Sequence, residues 1–254
     1  MRIKGLLLDL DGTLYVGEET VPGAREAVEL LKASSLALRY VTNTTRMPRR
    51  TVVDKLRVLG FDAEEGQVFT PARAAARLLR GRSCLPLVDP SLMEDLEGLR
   101  LSEDAGDCVL VGDLREGFTY DRLDAAFRCL MDGAELLALQ KNRYWRTPHG
   151  LSLDAGPFVA ALEYASGKQA VVVGKPEVEF FRTALQDLGL EAGEVAVVGD
   201  DAESDVAGAR KAGLRGIQVR TGKWRPDAEE LEADLVLDSV AGLPRALGIQ
   251  RGEG

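Results

Sequence analysis

Residues 5–14 read GLLLDLDGTL, an apolar run that ends in two aspartates and a glycine. A run without polar side chains before Asp9 is typical of a strand that is buried on both faces of a parallel sheet. Gly12 then allows the chain to turn. In open α/β sheets, ligands bind at the carboxyl ends of the strands. This stretch therefore predicts both a parallel sheet and a site that contains Asp9 and Asp11.

Similar apolar runs alternate with amphipathic segments on both sides of an internal segment. The predicted strands are LALRYVT (36–42), EVAVVGD (194–200), RGIQVRT (215–221) and ADLVLDS (233–239). The predicted helices cover residues 22–33, 48–60, 71–81, 177–189 and 203–213. Apolar strands separated by helices favour a doubly wound parallel sheet, which places the chain in the α/β class.

The internal segment, residues 81–174, carries short strands and two amphipathic helices of its own. Stretches that contain glycine and serine flank it, as is expected of hinges. The sequence therefore predicts a discontinuous core domain, 1–80 and 175–254, interrupted by an inserted α/β domain over 81–174.

The composition limits the classes of function. Of 254 residues, 41 are acidic and 32 are basic, and this net charge of −9 argues against nucleic-acid and membrane partners. No apolar run approaches the roughly 20 residues of a membrane helix, and the start of the chain does not resemble a signal peptide, so we expect a cytoplasmic protein. Three isolated cysteines fit buried thiols. The single histidine, His149, in a predicted turn, excludes a histidine-rich zinc site.

Two acidic clusters follow predicted strands. Side chains alternate along a strand, so Asp9 and Asp11 point the same way if the strand continues, and at about 4 Å their repulsion is roughly 4 kcal/mol. Asp200 and Asp201 end another strand, and Asp205 lies one helical turn further on. Parallel strands bring such ends together, and oxygen ligands without histidine or cysteine suit Mg²⁺. A solvated acidic loop is the alternative interpretation of the second cluster.

Three further residues stand at strand ends with groups that bind phosphate. Thr42 and Asn43 come directly before a helix, where a hydroxyl, an amide and helix N–H groups form a cradle for an anion. Lys175 follows an apolar run and precedes Pro176, and it supplies a point positive charge. Helix capping is the alternative role for the first two residues, and surface solubility is the ordinary role of a lysine.

Together these residues resemble the motifs of the haloacid dehalogenase (HAD) superfamily of phosphohydrolases. The motifs occur in that family's order, as DLDGT (9–13), TN (42–43), GKP (174–176) and GDDAESD (199–205). The inserted segment is similar to the C2-type cap of class IIA, which implies a Rossmann-like HAD core with a cap domain. Three segments are similar to the branch of phospholysine phosphohistidine inorganic pyrophosphate phosphatases, namely RYWR (143–146), DAGPFVAALEYASG (154–167) and VRTGKWRP (219–226).

The resemblance implies a role for each residue of the acidic clusters and their neighbours. Asp9 would attack phosphorus to form an aspartyl-phosphate, and Asp11 would protonate the leaving oxygen and then activate water. Mg²⁺ would be held by Asp9, the backbone carbonyl of Asp11, and Asp200. Asp205 and Asp201 would orient the waters of the ion or the phosphate-binding lysine.

The resemblance also implies how the substrate binds and what it is. Thr42, Asn43 and Lys175 would bind the phosphoryl oxygens. A cap implies a small phosphorylated substrate, which is a phosphate monoester, pyrophosphate or a phosphoramidate. Loop QKNRYWR (140–146) is the candidate for specificity, with packing between cap and core as the alternative role of its aromatic side chains. The class also allows a homodimer.

Other functions use similar ingredients. A phospho-accepting receiver-type switch needs acidic residues, a hydroxyl and a lysine on a doubly wound sheet. Such switches lack a cap and lack a second aspartate two residues after the phosphorylated one, the position that Asp11 occupies in this chain. A phosphomutase on the same core needs a second phosphate site, which the sequence leaves open. Dehalogenase chemistry gives no reason for Mg²⁺ or Asp11, and a non-catalytic binding protein descended from such enzymes would be expected to have lost Asp9 or Asp11.

Overall fold

The computed structural model describes residues 3–147, 150–224 and 233–250. They form two compact units, each with its own parallel sheet. The first unit comprises the described residues of 1–42, 49–69 and 175–254, and the second comprises those of 43–48 and 70–174. This division places the segment 43–48 and the helix that begins at Pro71 in the second unit, whereas the sequence placed both in the core domain.

The strands of the first unit are β1 (Gly5–Asp9), β2 (Tyr15–Val16), β3 (Glu19–Thr20), β4 (Ala37–Val41), β5 (Val68–Phe69), β13 (Val195–Gly199), β14 (Arg215–Val219) and β15 (Leu235–Leu237). Those of the second unit are β6 (Ser83–Leu87), β7 (Arg100–Leu101), β8 (Cys108–Val111), β9 (Glu135–Ala138), β10 (Tyr144–Thr147), β11 (Gly150–Leu153) and β12 (Val171–Val172).

The α-helices of the first unit are α1 (Ala24–Ala33), α2 (Arg49–Val58), α6 (Val178–Leu188), α7 (Gly208–Lys211) and α8 (Leu243–Ala246). Those of the second unit are α3 (Pro71–Leu78), α4 (Tyr120–Met131) and α5 (Gly156–Ser166). Among the described residues, no helix has the length and apolar character that a membrane span requires.

The sheet of the first unit has the strand order β15-β14-β13-β1-β4-β5, and every neighbouring pair is parallel. The chain proceeds outward from β1 to β5, returns to β13 beside β1, and then proceeds outward in the other direction. Every residue of β1 and β13 is buried, as expected of central strands covered on both faces. The predicted doubly wound α/β fold is confirmed. Its change of direction lies between β1 and β13, where open α/β sheets bind ligands.

The second unit contains a parallel sheet of order β12-β9-β8-β6-β7. Successive residues of its strands face two separate apolar clusters: Leu85 and Val109 pack in one, and Cys84 and Cys108 pack in the other. Cys129 is also buried, and all three cysteines are free thiols, as the sequence predicted.

The predicted helix over 203–213 differs from the structure. The chain forms a π-helical stretch, Ala202–Ala207, before the short helix α7. The carboxylate of Asp201 accepts the N–H groups of Glu203 and Ser204, and its carbonyl accepts from Asp205 at 2.9 Å and from Val206 at 3.4 Å. The bond from Asp205 spans four residues, as in an α-helix, whereas the bond from Val206 spans five residues, as in a π-helix.

Residues 140–146, named from the sequence as a loop, end in the first strand of an antiparallel hairpin in which β10 pairs with β11. Tyr144 lies opposite Leu153, and both side chains are exposed. Strand β11 is exposed at every position, so it lacks the burial pattern by which strands are predicted. The side chains of Trp145 and Arg146, and the whole of His149, lie outside the described part of the chain.

Candidate active site

Asp9 and Asp200 meet at the edge of the first unit's sheet. Asp9 is the last residue of β1, and Asp200 directly follows the neighbouring strand β13. Asp205, in the π-helical stretch, joins them. Each of the three buried aspartates offers one oxygen, and these oxygens all lie within 4.8 Å of one another. The sequence predicted that these carboxylates converge, and the fold brings them together at its change of direction.

Lys175 supplies the buried positive charge of this cluster. Its Nζ donates to Asp9 Oδ1 at 2.5 Å and to Asp205 Oδ1 at 2.6 Å, and only 3% of the side chain is exposed. Burial on its own lowers the pKa of the lysine, but the carboxylates of Asp205 and Asp9 outweigh it, so the pKa of Lys175 is raised. The lysine is therefore held in its charged form.

Asp205 is enclosed from several sides. Its Oδ2 accepts the N–H of Asp201 at 3.3 Å, and a Cβ on Gly199 would lie 2.2 Å from the same oxygen. Burial raises the pKa of the Asp205 carboxyl, while the charge of Lys175 opposes that change. Only a glycine at position 199 leaves room for the carboxylate beside the lysine.

Asp200 is held by a loop within VRTGKWRP (219–226), a segment for which the sequence indicated no role at the site. Its Oδ2 accepts the backbone N–H of Lys223 at 2.6 Å. Burial raises the pKa of Asp200 from 3.8 to about 6, and the charge of Asp9 adds to this, although the N–H of Lys223 opposes it. A buried carboxylate with a raised pKa gains from a nearby cation, because the cation replaces the proton that burial favours.

Asp201 does not join the three clustered carboxylates. It caps the π-helical stretch and accepts the ammonium of Lys223 at 2.9 Å. Burial alone raises the pKa of Asp201, but the N–H donors and the Lys223 ammonium lower it overall. The geometry therefore makes Asp201 an anchor for the loop around Lys223.

Asp11 stands apart from Asp9. The strand ends at Asp9, so the predicted alternation does not extend to Asp11, which forms a bridge with Tyr15 and is exposed to solvent. Burial raises the pKa of Tyr15, and the nearby charges of Asp11 and Asp9 add to this. Lys55 Nζ lies 4.3 Å from the centre of the Tyr15 ring. The sequence did not indicate this aromatic neighbour.

Thr42 and Asn43 directly follow β4, as predicted, and the division between the two units falls between them. The backbone N–H of Thr42 donates to the carbonyl of Phe69 at 3.3 Å. Asn43 lies in the second unit, where a Cβ on Gly174 would be 2.7 Å from its Oδ1. Thr13, which sequence reasoning left without a role, is buried and donates from Oγ1 to Asp9 Oδ2 at 3.4 Å.

The arrangement as a whole fits a divalent cation. Three buried carboxylates face one buried ammonium, which leaves two negative charges uncompensated. Uncompensated buried charge is costly, and carboxylate oxygens without nitrogen or sulfur ligands suit a hard ion such as Mg²⁺. The same edge of the sheet presents Asp9 as a carboxylate whose two oxygens are fixed by Lys175 and Thr13.

Comparison with known proteins agrees with this geometry. A family model described as haloacid dehalogenase-like hydrolase matches residues 6–102, and a second, HAD-hydrolase-like model matches residues 172–243. The haloacid dehalogenase-like hydrolase domain-containing protein 2 of Bos taurus is 44% identical over 230 residues, which cover 90% of this chain and 88% of that protein. The chain belongs to the haloacid dehalogenase-like hydrolase family.

Two further relatives of this HAD hydrolase carry phosphatase names. The phospholysine phosphohistidine inorganic pyrophosphate phosphatase of Bos taurus is 43% identical over 250 residues, covering 94% of this chain and 92% of that protein. The structure of a p-nitrophenyl phosphatase from Archaeoglobus fulgidus superposes with a TM-score of 0.87 at 27% identity, covering 97% of this chain and all of that one. The HAD hydrolase described here is a phosphohydrolase with a Rossmann-like core.

Proposed function

We propose that this HAD hydrolase is an Mg²⁺-dependent phosphatase that cleaves a small phosphorylated substrate through an aspartyl-phosphate on Asp9. One observation carries the proposal. Lys175 bridges Asp9 and Asp205 beside Asp200, and all four side chains are buried where the sheet changes direction. A carboxylate fixed beside a cation at this edge is placed to attack an electrophile.

In the first half-reaction, an oxygen of Asp9 forms a bond to phosphorus while the bond from phosphorus to the leaving oxygen breaks. Asp11 donates its proton to that leaving oxygen. Its exposure supports this role, because the leaving group departs on the side away from the buried nucleophile. In the second half-reaction, Asp11 takes a proton from water, the water oxygen bonds to phosphorus, and Asp9 is released as a carboxylate.

The phosphoryl oxygens require positive or hydrogen-bonding partners. Lys175 supplies a full charge, since the pKa of Lys175 is raised by its two carboxylate neighbours. Thr42 and Asn43 supply a hydroxyl and an amide at the end of the neighbouring strand β4. Groups that are fixed before the reaction stabilise the charge that spreads over the phosphoryl oxygens in a loose transition state.

The residues present fit a divalent ion. Asp9, the backbone carbonyl of Asp11, and Asp200 would hold Mg²⁺. Asp205 would orient Lys175 rather than the ion, because its Oδ1 accepts from the ammonium and its Oδ2 accepts the backbone N–H of Asp201. Asp201 would act indirectly, by binding the ammonium of Lys223. When bound, Mg²⁺ offsets the negative charge of the carboxylates and of the phosphate, which otherwise repel each other.

We assign the role of a C2-type cap to the second unit, residues 43–48 and 70–174. A cap restricts the substrate to small molecules, and the hairpin that contains Arg143 and Tyr144 is the candidate for recognition of the leaving group. The names of the relatives indicate the classes to test, which are aryl phosphates, pyrophosphate and phosphoramidates.

The experiment is a screen of small phosphate monoesters, pyrophosphate and phosphoramidates with Mg²⁺ and after exhaustive chelation. We expect many turnovers with Mg²⁺ and none without a divalent ion. Undiminished turnover after chelation would contradict the metal dependence. A single equivalent of product would favour a phospho-accepting switch, and transfer of phosphate within the substrate would favour a mutase.

A further inference from the structure

The loop that follows β14 reaches two other elements of the site. Thr221 Oγ1 donates to the carbonyl of Gly12 at 2.5 Å, and the backbone N–H of Lys223 donates to Asp200 Oδ2 at 2.6 Å. The loop therefore binds both the turn that follows the proposed nucleophile and a proposed ligand of the ion. Neither the four motifs nor the proposed reaction gives Thr221 or Gly222 a role.

Gly222, between these two donors, is packed without spare room. A Cβ at this position would lie 2.2 Å from Asp200 Oδ2 and 2.4 Å from the Cα of Gly12. Gly12 is equally crowded, since its Cβ would lie 2.1 Å from the same carboxylate oxygen. Both glycines have positive φ angles, +56° and +92°. Asp200 is thus held between two backbone segments that approach as closely as glycine permits.

The loop is itself anchored at both ends. The N–H of Arg220 donates to the carbonyl of Leu237 on the neighbouring strand at 2.9 Å. The ammonium of Lys223 pairs with Asp201, which caps the π-helical stretch. An anchored donor fixes the rotation of the carboxylate that it contacts, so one oxygen of Asp200 is committed to the loop and the other is left for a ligand.

We propose that the segment Thr221–Lys223 is a positioning element that selects the oxygen with which Asp200 binds a divalent cation and fixes the adjacent Gly12 turn. This inference rests on the proposed function, because it requires Asp200 to be a metal ligand. Thr221 and Gly222 contact neither substrate nor ion in this account, and they act through Gly12 and Asp200. Partners that orient metal ligands in this way typically change metal affinity about 10- to 100-fold when they are removed.

The test measures binding of Mn²⁺, a paramagnetic substitute for Mg²⁺, to the full chain by electron paramagnetic resonance. Thr221→Val keeps the shape of the side chain but removes the donor, and we expect Mn²⁺ affinity to fall about 10-fold. Thr221→Ser keeps the hydroxyl, and we expect it to restore most of the affinity. A purely structural role of the side chain would not produce this rescue in metal affinity.

A second, independent pair of variants uses the crowding at Gly222. Gly222→Ala forces Asp200 or Gly12 to move, and we expect a loss of Mn²⁺ affinity at least as large as that of Thr221→Val. Gly189→Ala is the matched control, because Gly189 also has a positive φ, +67°, but its Cβ would meet nothing within 4 Å. The control carries the backbone strain without the contact, so its Mn²⁺ affinity should equal that of the wild type.

The outcomes separate the inference from the proposed function. Wild-type affinity in both Thr221→Val and Gly222→Ala would overturn the inference and leave the proposed function standing. Absence of Mn²⁺ and Mg²⁺ binding by the wild type would overturn the proposed metal site, and the inference with it. If Thr221→Val does not fold, the comparison of Gly222→Ala with Gly189→Ala decides the question alone.

Discussion

Lys175 Nζ lies 2.5 Å from Asp9 Oδ1, and both side chains are buried. This contact joins the last residue of the first strand to a residue 166 positions later in the chain. It places the positive charge of the lysine beside the carboxylate that we propose as the nucleophile. The charge lowers the repulsion between Asp9 and an approaching phosphate, and it remains in place as charge builds on the phosphoryl oxygens.

Asp9→Asn removes the nucleophile but keeps an oxygen that can accept from Lys175. We expect turnover of p-nitrophenyl phosphate to fall about 10⁴-fold or more, with a melting temperature close to that of the wild type. Asp62→Asn is the control, because Asp62 pairs with Lys32 at the surface and should keep full activity. Substantial turnover by Asp9→Asn would remove the proposed mechanism.

Lys175→Met leaves Asp9 and Asp205 buried without their shared cation. We expect a loss of about 3–5 kcal/mol in the free energy of unfolding, because one partner of a buried ion pair is left uncompensated. Chemical denaturation measures this loss. Lys4→Met, which breaks a pair whose lysine side chain is 59% exposed, should cost less than about 1 kcal/mol.

A double variant sharpens the same experiment. Adding Asp205→Asn to Lys175→Met removes one of the two stranded carboxylates, so part of the lost stability should return. If the losses in unfolding free energy of the two single variants simply add in the double variant, Lys175 and Asp205 are not energetically coupled.

The raised pKa of Asp200 predicts an unusual dependence of stability on pH. The folded pKa of about 6 lies above the unfolded value of 3.8, so the folded, metal-free protein binds more protons between these values. Stability from this group is therefore lost as pH rises from about 4 to about 6, by up to about 3 kcal/mol. Asp200→Asn removes this loss.

The measurement is the difference in unfolding free energy between Asp200→Asn and the wild type, taken in chelator across that pH range. We expect the difference to move in favour of the variant as pH rises. Saturating Mg²⁺ should reverse the order at pH 7, because only the wild type retains the carboxylate ligand. A difference that does not change with pH would contradict the raised pKa of Asp200.

Asp11→Asn tests the assignment of the general acid. We expect turnover to fall about 10²–10⁴-fold for an alkyl phosphate, whose leaving oxygen needs a proton. The loss should be much smaller for the first half-reaction of p-nitrophenyl phosphate, whose leaving group departs as an anion. Pre-steady-state bursts separate the two half-reactions, and equal losses for both substrates would show that Asp11 is not the acid.

Much of the core fold could be predicted because its central strands are apolar without interruption. β1 and β13 are buried on both faces, and apart from Asp9 at the end of β1 their sequences contain no polar residue that would obscure the pattern. The convergence of Asp9 and Asp200 then follows from parallel pairing. The positions of these two residues depend on the order of the strands in the sheet. The apolar pattern of the strands and the rules for connecting parallel strands largely determine that order.

Other parts depend on contacts that leave no periodic signal. The π-helical stretch includes a hydrogen bond from the N–H of Val206 to the carbonyl of Asp201, and the loop at Thr221–Lys223 meets Asp200 through a backbone N–H and a glycine without a Cβ. The side chain of Asp11 does not follow the alternation of β1, because the strand ends at Asp9, two residues before Asp11. Strand β11 is exposed at every position, so it shows no buried apolar face.

The segment 43–48 also could not be assigned from its sequence. The guanidinium of Arg46 pairs with the buried Asp113, and the backbone carbonyl of Arg46 accepts from Ser91 Oγ at 3.2 Å. These two contacts, from residues far along the chain, attach the segment to the second unit. Only tertiary structure shows that Asn43 belongs with that unit while Thr42 belongs with the first.

Trapping the covalent intermediate shows whether Asp9 is the nucleophile. Enzyme quenched in acid during turnover with Mg²⁺ and p-nitrophenyl phosphate is reduced with borohydride, which converts an aspartyl-phosphate to homoserine, and is then mapped by peptide mass spectrometry. The account predicts homoserine at position 9, and none after chelation or in Asp9→Asn. Sustained turnover with homoserine at another aspartate, or with none at all, would contradict it.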